Sequence, residues 1–163
     1  MTRLEKEILD LLKENARLPL KDIAGMLGVD EQAVKNSIRA LEESGLLVKC
    51  AAIVNSELLD ESLVEALIEV KVSPKKAEGF DGMAKQIAAF PEVKGVYLMS
   101  GAYDLAVFIE DTSLQKVARF VSERISTFDG VLSTATHFIL KKYKIEGVMT
   151  QKDGEDNRIS IQA

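Results

Sequence analysis

Within the run EQAVKNSIRALEE, Gln32, Lys35, Asn36 and Arg39 recur at helical spacing, so a helix here puts all four side chains on one side. Amides of this length match the donor and acceptor edge of adenine, a guanidinium matches guanine, and both cations can neutralise phosphate. Val34, Ile38 and Leu41 fall on the other side at steps of four and three, the pattern of a helix with one buried face. The chemistry these residues suit is recognition of duplex DNA. An ordinary amphipathic helix in a small all-α domain has the same period, and spacing by itself leaves that alternative open. The helix opens with Asp30 and Glu31, and residues 1–50 hold eight Lys or Arg against nine Asp or Glu. A single copy is therefore expected to bind phosphates weakly.

Other chemistries find little support. His137 is the only histidine and lies in the alternating run TATHFILKK, which argues against a His-based metal site or a nucleophile triad. Cys50 is the only cysteine, so it has no internal disulfide partner and is read as structural in a reducing compartment. There is no phosphate-cradling Gly-rich loop, no paired-Cys zinc signature and no glycine-flanked serine elbow. No cofactor, metal or enzymatic activity is expected. A net charge of −5 disfavours a nonspecific nucleic-acid coat or an anionic membrane surface. The charged N-terminus and the lack of a long apolar run predict a cytoplasmic protein without membrane contact.

The elements that must carry the four side chains are short helices. Thr2 and Glu5 form a capping box for a first helix with Leu4, Ile8, Leu11 and Leu12 on one stripe. Leu20, Ile23, Ala24 and Leu27 mark a second, which Gly28 ends; Asp30 caps the third and Gly45 stops it. Helix, glycine turn and longer helix make a helix-turn-helix over residues 20–47. Residues 46–54 (LLVKCAAIV) read as a strand leaving the domain, and residues 55–62 as a linker.

From Leu63 the period changes to two, with Ala66, Ile68, Val70 and Val72 facing one way. A helix from Pro74 to Phe90 follows, weakened early by Gly79 and Gly82. Strands over 93–99 and 103–110, joined by a tight turn at 100–102, are expected to pair as a hairpin. A helix over 113–128 and a strand over 131–143 complete the order βαββαβ. That order implies a ferredoxin-like sandwich with both helices on one face of a four-stranded antiparallel sheet. The other face then lacks a cover, leaving Leu67, Phe108 and Phe138 without an intrachain partner, and a homodimer through this sheet is expected. The tail, 149–163, carries the turn signal KDGED and reads either as a hairpin or as a frayed end. The fold class is thus α+β: a winged-type three-helix domain (1–47), a hinge strand and linker (48–62), a ferredoxin-like domain (63–148) and a tail (149–163).

This organisation resembles the Lrp/AsnC family of transcription factors, named for the leucine-responsive regulatory protein and the asparagine regulator. The likeness covers nearly the whole chain and rests on IAGMLGVDEQAVKNSIRALEESGLL, SGAYDLAVFIE and VLSTATHFILKKYK. Pro19 stands where the family often has Ser or Thr as the second helix's cap. The resemblance implies a DNA-binding regulator that forms dimers, often assembled into tetramers or octamers. Its C-terminal domain would sense an amino acid or related small metabolite at subunit interfaces.

The family's effector region maps onto Gly101, Tyr103 and Asp104 in the hairpin and onto Thr134 and Thr136 in the last strand. Asp104 suits an α-ammonium, and turn N–H groups and a threonine hydroxyl suit an α-carboxylate. Each residue also has a plainer role: a local backbone bond for Asp104, a positive φ at Gly101, sheet packing for Tyr103 and strand preference for the threonines. The competing function is a metabolite-binding or assembly protein with little DNA affinity. Recruitment of the architecture for siroheme decarboxylation would call for more His and Arg than His137, Arg119 and Arg124 provide.

Overall fold

The computed structural model describes residues 1–59, 63–73 and 79–150. The chain divides into two compact units, Met1–Ile53 and Val54–Ala163.

The first unit holds α1 (Arg3–Glu14), α2 (Leu20–Leu27) and α3 (Glu31–Glu43). Each expected cap forms. The Glu5 N–H donates to Thr2 Oγ1 at 3.1 Å while the Thr2 N–H donates to Glu5 Oε2 at 2.6 Å, and the Ala33 N–H donates to the Asp30 carboxylate at 2.8 Å. Gly28 ends α2 at φ 65°, a left-handed conformation costing an L side chain roughly 1–2 kcal/mol. Pro19 precedes α2 without a side-chain cap. Ile8, Ile23, Val34 and Leu41 are fully or almost fully buried, with Leu4, Leu12, Leu20 and Ile38 packed around them. At about 1.5–3 kcal/mol for each large aliphatic side chain, this core holds three helices too short to persist alone.

Residues 46–54 differ from the expected strand. They join no ladder among the described residues, and Leu46, Val48, Ile53 and Val54 are exposed. Alternating apolar residues give strand propensity, but a strand also needs a neighbour to take its N–H and C=O groups, and no described segment pairs here.

In the second unit, β1 (Val64–Val72), β2 (Val93–Leu98), β3 (Leu105–Asp111) and β4 (Val131–Phe138) form one antiparallel sheet in the order β2-β3-β1-β4. The two helices, α4 (Asp81–Ala88) and α5 (Leu114–Glu123), complete the βαββαβ order. Ala66, Ile68, Val70 and Val72 meet Ile87 of α4 and Val117, Phe120 and Val121 of α5 in one buried cluster. Both helices thus cover one face. Phe90 stands edge-on to Phe120 and Phe128 at 5.3 and 6.1 Å.

Several boundaries differ from the expected ones. The helix expected from Pro74 begins at Asp81, beyond Gly79, whose φ of +57° does not fit a right-handed helix; residues 74–78 lie outside the described residues. The helix expected to run to 128 stops at Glu123, where the Thr127 hydroxyl donates to the carbonyls of Glu123 and Arg124 and a 3₁₀ turn over Ile125–Thr127 follows. Strand β4 ends at Phe138, because β1 begins at Val64 and offers nothing past the Ile139 N–H bond to Glu65 O.

A two-stranded hairpin absent from the sequence reading pairs β5 (Lys144–Ile145) with β6 (Val148–Met149) around Glu146 and Gly147, both at positive φ. The KDGED turn falls within residues 151–163, outside the described residues.

The open sheet face also needs one correction. Leu67 pairs with Phe108 in register and His137 stands beside it on β4, so these share the face away from the helices. Phe138 pairs with Ala66 and therefore lies on the helix-covered face. On the open face Tyr97 stands edge-on to Phe108 at 5.7 Å, over Gly95, where a Cβ would come within 3.0 Å of the Tyr97 ring. His137 Nε2 lies 3.4 Å from Glu69 on the same face.

Candidate functional site

Helix α3 presents Gln32, Lys35, Asn36 and Arg39 to solvent, while Val34 and Leu41 anchor its other side. The four side chains are not equivalent. Gln32 Nε2 donates to Asn36 Oδ1 at 2.9 Å on the exposed side of the helix, which leaves the Gln32 carbonyl as an acceptor and the Asn36 amino group as a donor. That pair matches the exposed edge of adenine. Arg39 Nε donates to Glu43 Oε1 at 2.7 Å. Lys35 pairs with none of the described residues, so its ammonium is available to a phosphate. Asp30 is occupied by the Ala33 N–H, which places its charge at the positive end of the helix.

The second group of residues surrounds the β2–β3 connection. The expected tight turn at 100–102 is instead a wider loop, closed by the Met99 N–H bond to Asp104 O at 2.8 Å. The Asp104 N–H donates to Val70 O at 3.1 Å, and the Asp104 carboxylate accepts the Val72 N–H at 2.8 Å. Asp104 therefore extends the β1–β3 pairing past its last main-chain partner, with its carboxylate replacing a carbonyl. Gly101 is exposed and has no positive φ, so its freedom is not required by the turn. Tyr103 is half-buried.

Thr134 and Thr136 face the helix layer, across β1 from Leu105 and Val107. Two strand spacings, roughly 10 Å, separate them from β3. Thr134 Oγ1 lies 3.4 Å from Ser126 Oγ. Within one chain the threonines do not converge on Asp104. A cavity of about 80 Å³ beside Val72, lined by Phe80, Met83, Gln86, Phe128 and Asp129, has room for a few waters only.

Comparison with known proteins gives these two groups a context. Residues 1–48 match the winged helix-turn-helix DNA-binding family, and residues 65–149 match the Lrp/AsnC ligand binding domain. The chain belongs to the Lrp/AsnC family. Across 162 residues it is 46% identical to YugG of Bacillus subtilis strain 168, an uncharacterized HTH-type transcriptional regulator, covering 99% of this chain and 98% of that one. It is 33% identical over 144 residues to the HTH-type transcriptional regulator FL11 of Pyrococcus horikoshii, covering 88% and 92% of the two chains. The same fold appears in a transcriptional regulator of Neisseria meningitidis solved as an L-Met complex, with a TM-score of 0.69 at 22% identity over 89% of this chain and 93% of that one. This Lrp/AsnC protein is a DNA-binding transcriptional regulator with a ligand-binding domain, and not an enzyme. Among the described residues no helix is long and apolar enough to cross a membrane.

Two partners in this regulator's sites escape a reading by residue type alone. Glu43 follows Arg39 at a spacing of four, a signal for a helical ion pair that the sequence carries openly. Val72 reaches Asp104 across 32 positions, and no local pattern announces such a bond.

Proposed function

We propose that this regulator reads duplex DNA with Gln32, Lys35, Asn36 and Arg39 and responds to an amino acid or related small metabolite around Gly101, Tyr103 and Asp104. The observation that carries the DNA half is the exposed stripe on α3, where an amide pair and two cations share one face. In the first two turns of a recognition helix, Gln32 and Asn36 stand where base edges are met, while Lys35 and Arg39 serve phosphates or a guanine. The weak local charge balance calls for two reading helices at once, since coupling two modest contacts raises the effective concentration of the second. A homodimer through the open sheet face, with Leu67 and Phe108 at its centre, would supply them, and tetramers or octamers would extend the array. DNA as the target implies a cytoplasmic location.

For the effector, the remaining lone pairs of Asp104 suit an α-ammonium, and N–H groups of the 99–104 loop suit a carboxylate. The L-Met complex of the Neisseria meningitidis regulator, which shares the fold, supports an amino acid as the ligand class. Thr134 and Thr136 contribute only if a second copy brings them to that loop.

The test is retardation of duplex DNA spanning the protein's own promoter, at two salt concentrations, with and without the mixed protein amino acids. Salt-sensitive, sequence-preferring retardation that the mixture alters is expected. A second reading, a metabolite-binding assembly protein with little DNA affinity, draws on the Arg39–Glu43 pair and on Asp30 and Glu31 at the head of α3. Amino-acid binding without retardation at either salt concentration would favour it.

A further inference from the structure

Arg39 is the one cation of the α3 face that already has a partner. Its Nε lies 2.7 Å from Glu43 Oε1, and both side chains are open to solvent, at 77% and 64% exposure. Glu43 also falls on the stripe of Gln32, Asn36 and Arg39, because steps of four, three and four return to one side of a helix. A duplex approaching that stripe meets a carboxylate beside the guanidinium.

Glu43 gains the helical ion pair with Arg39, while the helix dipole opposes its charge. It occupies the last turn of α3, at the negative end of the helix dipole, and that turn holds no basic residue to offset it. Its contact with Arg39 is the one interaction it makes among the described residues.

We propose that Glu43 lowers the DNA affinity of this regulator by competing with phosphate for Arg39. The inference rests on the reading that the α3 face meets DNA. A phosphate must either displace Glu43 from the guanidinium or share it while facing the carboxylate's charge, and both routes oppose binding. Since phosphate carries no sequence information, the effect falls equally on promoter and unrelated DNA.

The experiment is a double-mutant cycle on the full chain, using Glu43→Gln, Arg39→Ala and both together. Equilibrium binding is measured at low salt to a duplex of the protein's own promoter and to a scrambled duplex of the same length, with circular dichroism confirming the fold. Glu43→Gln is expected to tighten binding to both duplexes by about two- to five-fold for each reading helix, the scale of an exposed ion pair. Their affinity ratio is expected to stay unchanged, and the tightening to vanish in the Arg39→Ala background.

Unchanged or weaker binding by Glu43→Gln overturns the proposal, as does equal tightening in both backgrounds, which would mark a long-range charge effect. Loss of the promoter preference also overturns it, because Glu43 would then be orienting Arg39 toward a base. If Arg39→Ala leaves affinity unaltered, Arg39 does not touch DNA, and the failure belongs to the reading of α3 that underlies the proposal.

Discussion

The Asp104 carboxylate accepts the Val72 N–H at 2.8 Å and so closes the sheet where the main-chain ladder between β1 and β3 runs out. The residue proposed to greet an effector's ammonium is therefore also part of the frame that holds its loop. One oxygen serves the fold and the other is left for chemistry, so changes at this position act on two properties that must be measured separately.

Asp104→Asn retains a carbonyl acceptor for Val72 and removes the charge, whereas Asp104→Ala leaves the Val72 N–H without its partner. The alanine variant is expected to lose about 1–3 kcal/mol of stability in denaturant unfolding, and the asparagine variant distinctly less. Both are expected to weaken binding of an amino-acid probe such as L-Met by calorimetry. A probe affinity equal to that of the parent protein in Asp104→Asn would remove the ammonium contact.

Asp30 poses an opposite pair of effects in the first unit. Asp30→Ala removes the cap on Ala33 and is expected to cost about 1 kcal/mol of stability. The same change deletes a negative charge at the head of the helix proposed to meet DNA, so affinity for duplex DNA is expected to rise slightly at low salt and converge with the parent at high salt. Thermal unfolding and a salt series of binding isotherms check the two effects.

The open sheet face predicts its own disruption. Leu67→Lys places a charge beside Phe108 at the centre of the proposed contact and is expected to shift the protein toward monomer in sedimentation. DNA affinity should fall with it as the two reading helices are uncoupled. An unchanged dimer would move the interface off this face.

Much of this architecture was legible in the sequence because its signals are local. The Thr2–Glu5 box, the Asp30 cap, the left-handed Gly28 and the alternation of Ala66, Ile68, Val70 and Val72 each follow from residues within a few positions of one another, and the structure carries all of them. What escaped depends on partners far along the chain or on the end of a partner. The parity of Phe138 follows from its pairing with Ala66, which the apolar run around Phe138 does not reveal. The strand expected over 131–143 ends at Phe138 because its limit lies in where β1 begins. The run at 46–54 has strand composition without a strand beside it among the described residues.

The candidate sites show the same division. The α3 face is a helical repeat and could be read directly, together with its Arg39–Glu43 spacing. The Asp104–Val72 bond and the separation of Thr134 and Thr136 from the loop are consequences of strand order, which the βαββαβ pattern implies only in outline. The family resemblance points to all five positions, but topology places the two threonines across β1 on the helix side.

On the reading proposed for α3, its amides address bases and its cations address phosphates. The most direct measurement compares Asn36→Ala and Lys35→Ala with the parent protein, by fluorescence-anisotropy titration against the promoter duplex and a scrambled duplex across a salt series. Asn36→Ala is expected to lose most of the preference for the promoter, by roughly 1–3 kcal/mol for each lost base contact. Lys35→Ala is expected to weaken both duplexes alike and to reduce the salt slope by about 0.9 for each phosphate contact removed. Parent-like affinity, preference and salt slope in both variants would mean that the exposed face of α3 has no part in binding DNA.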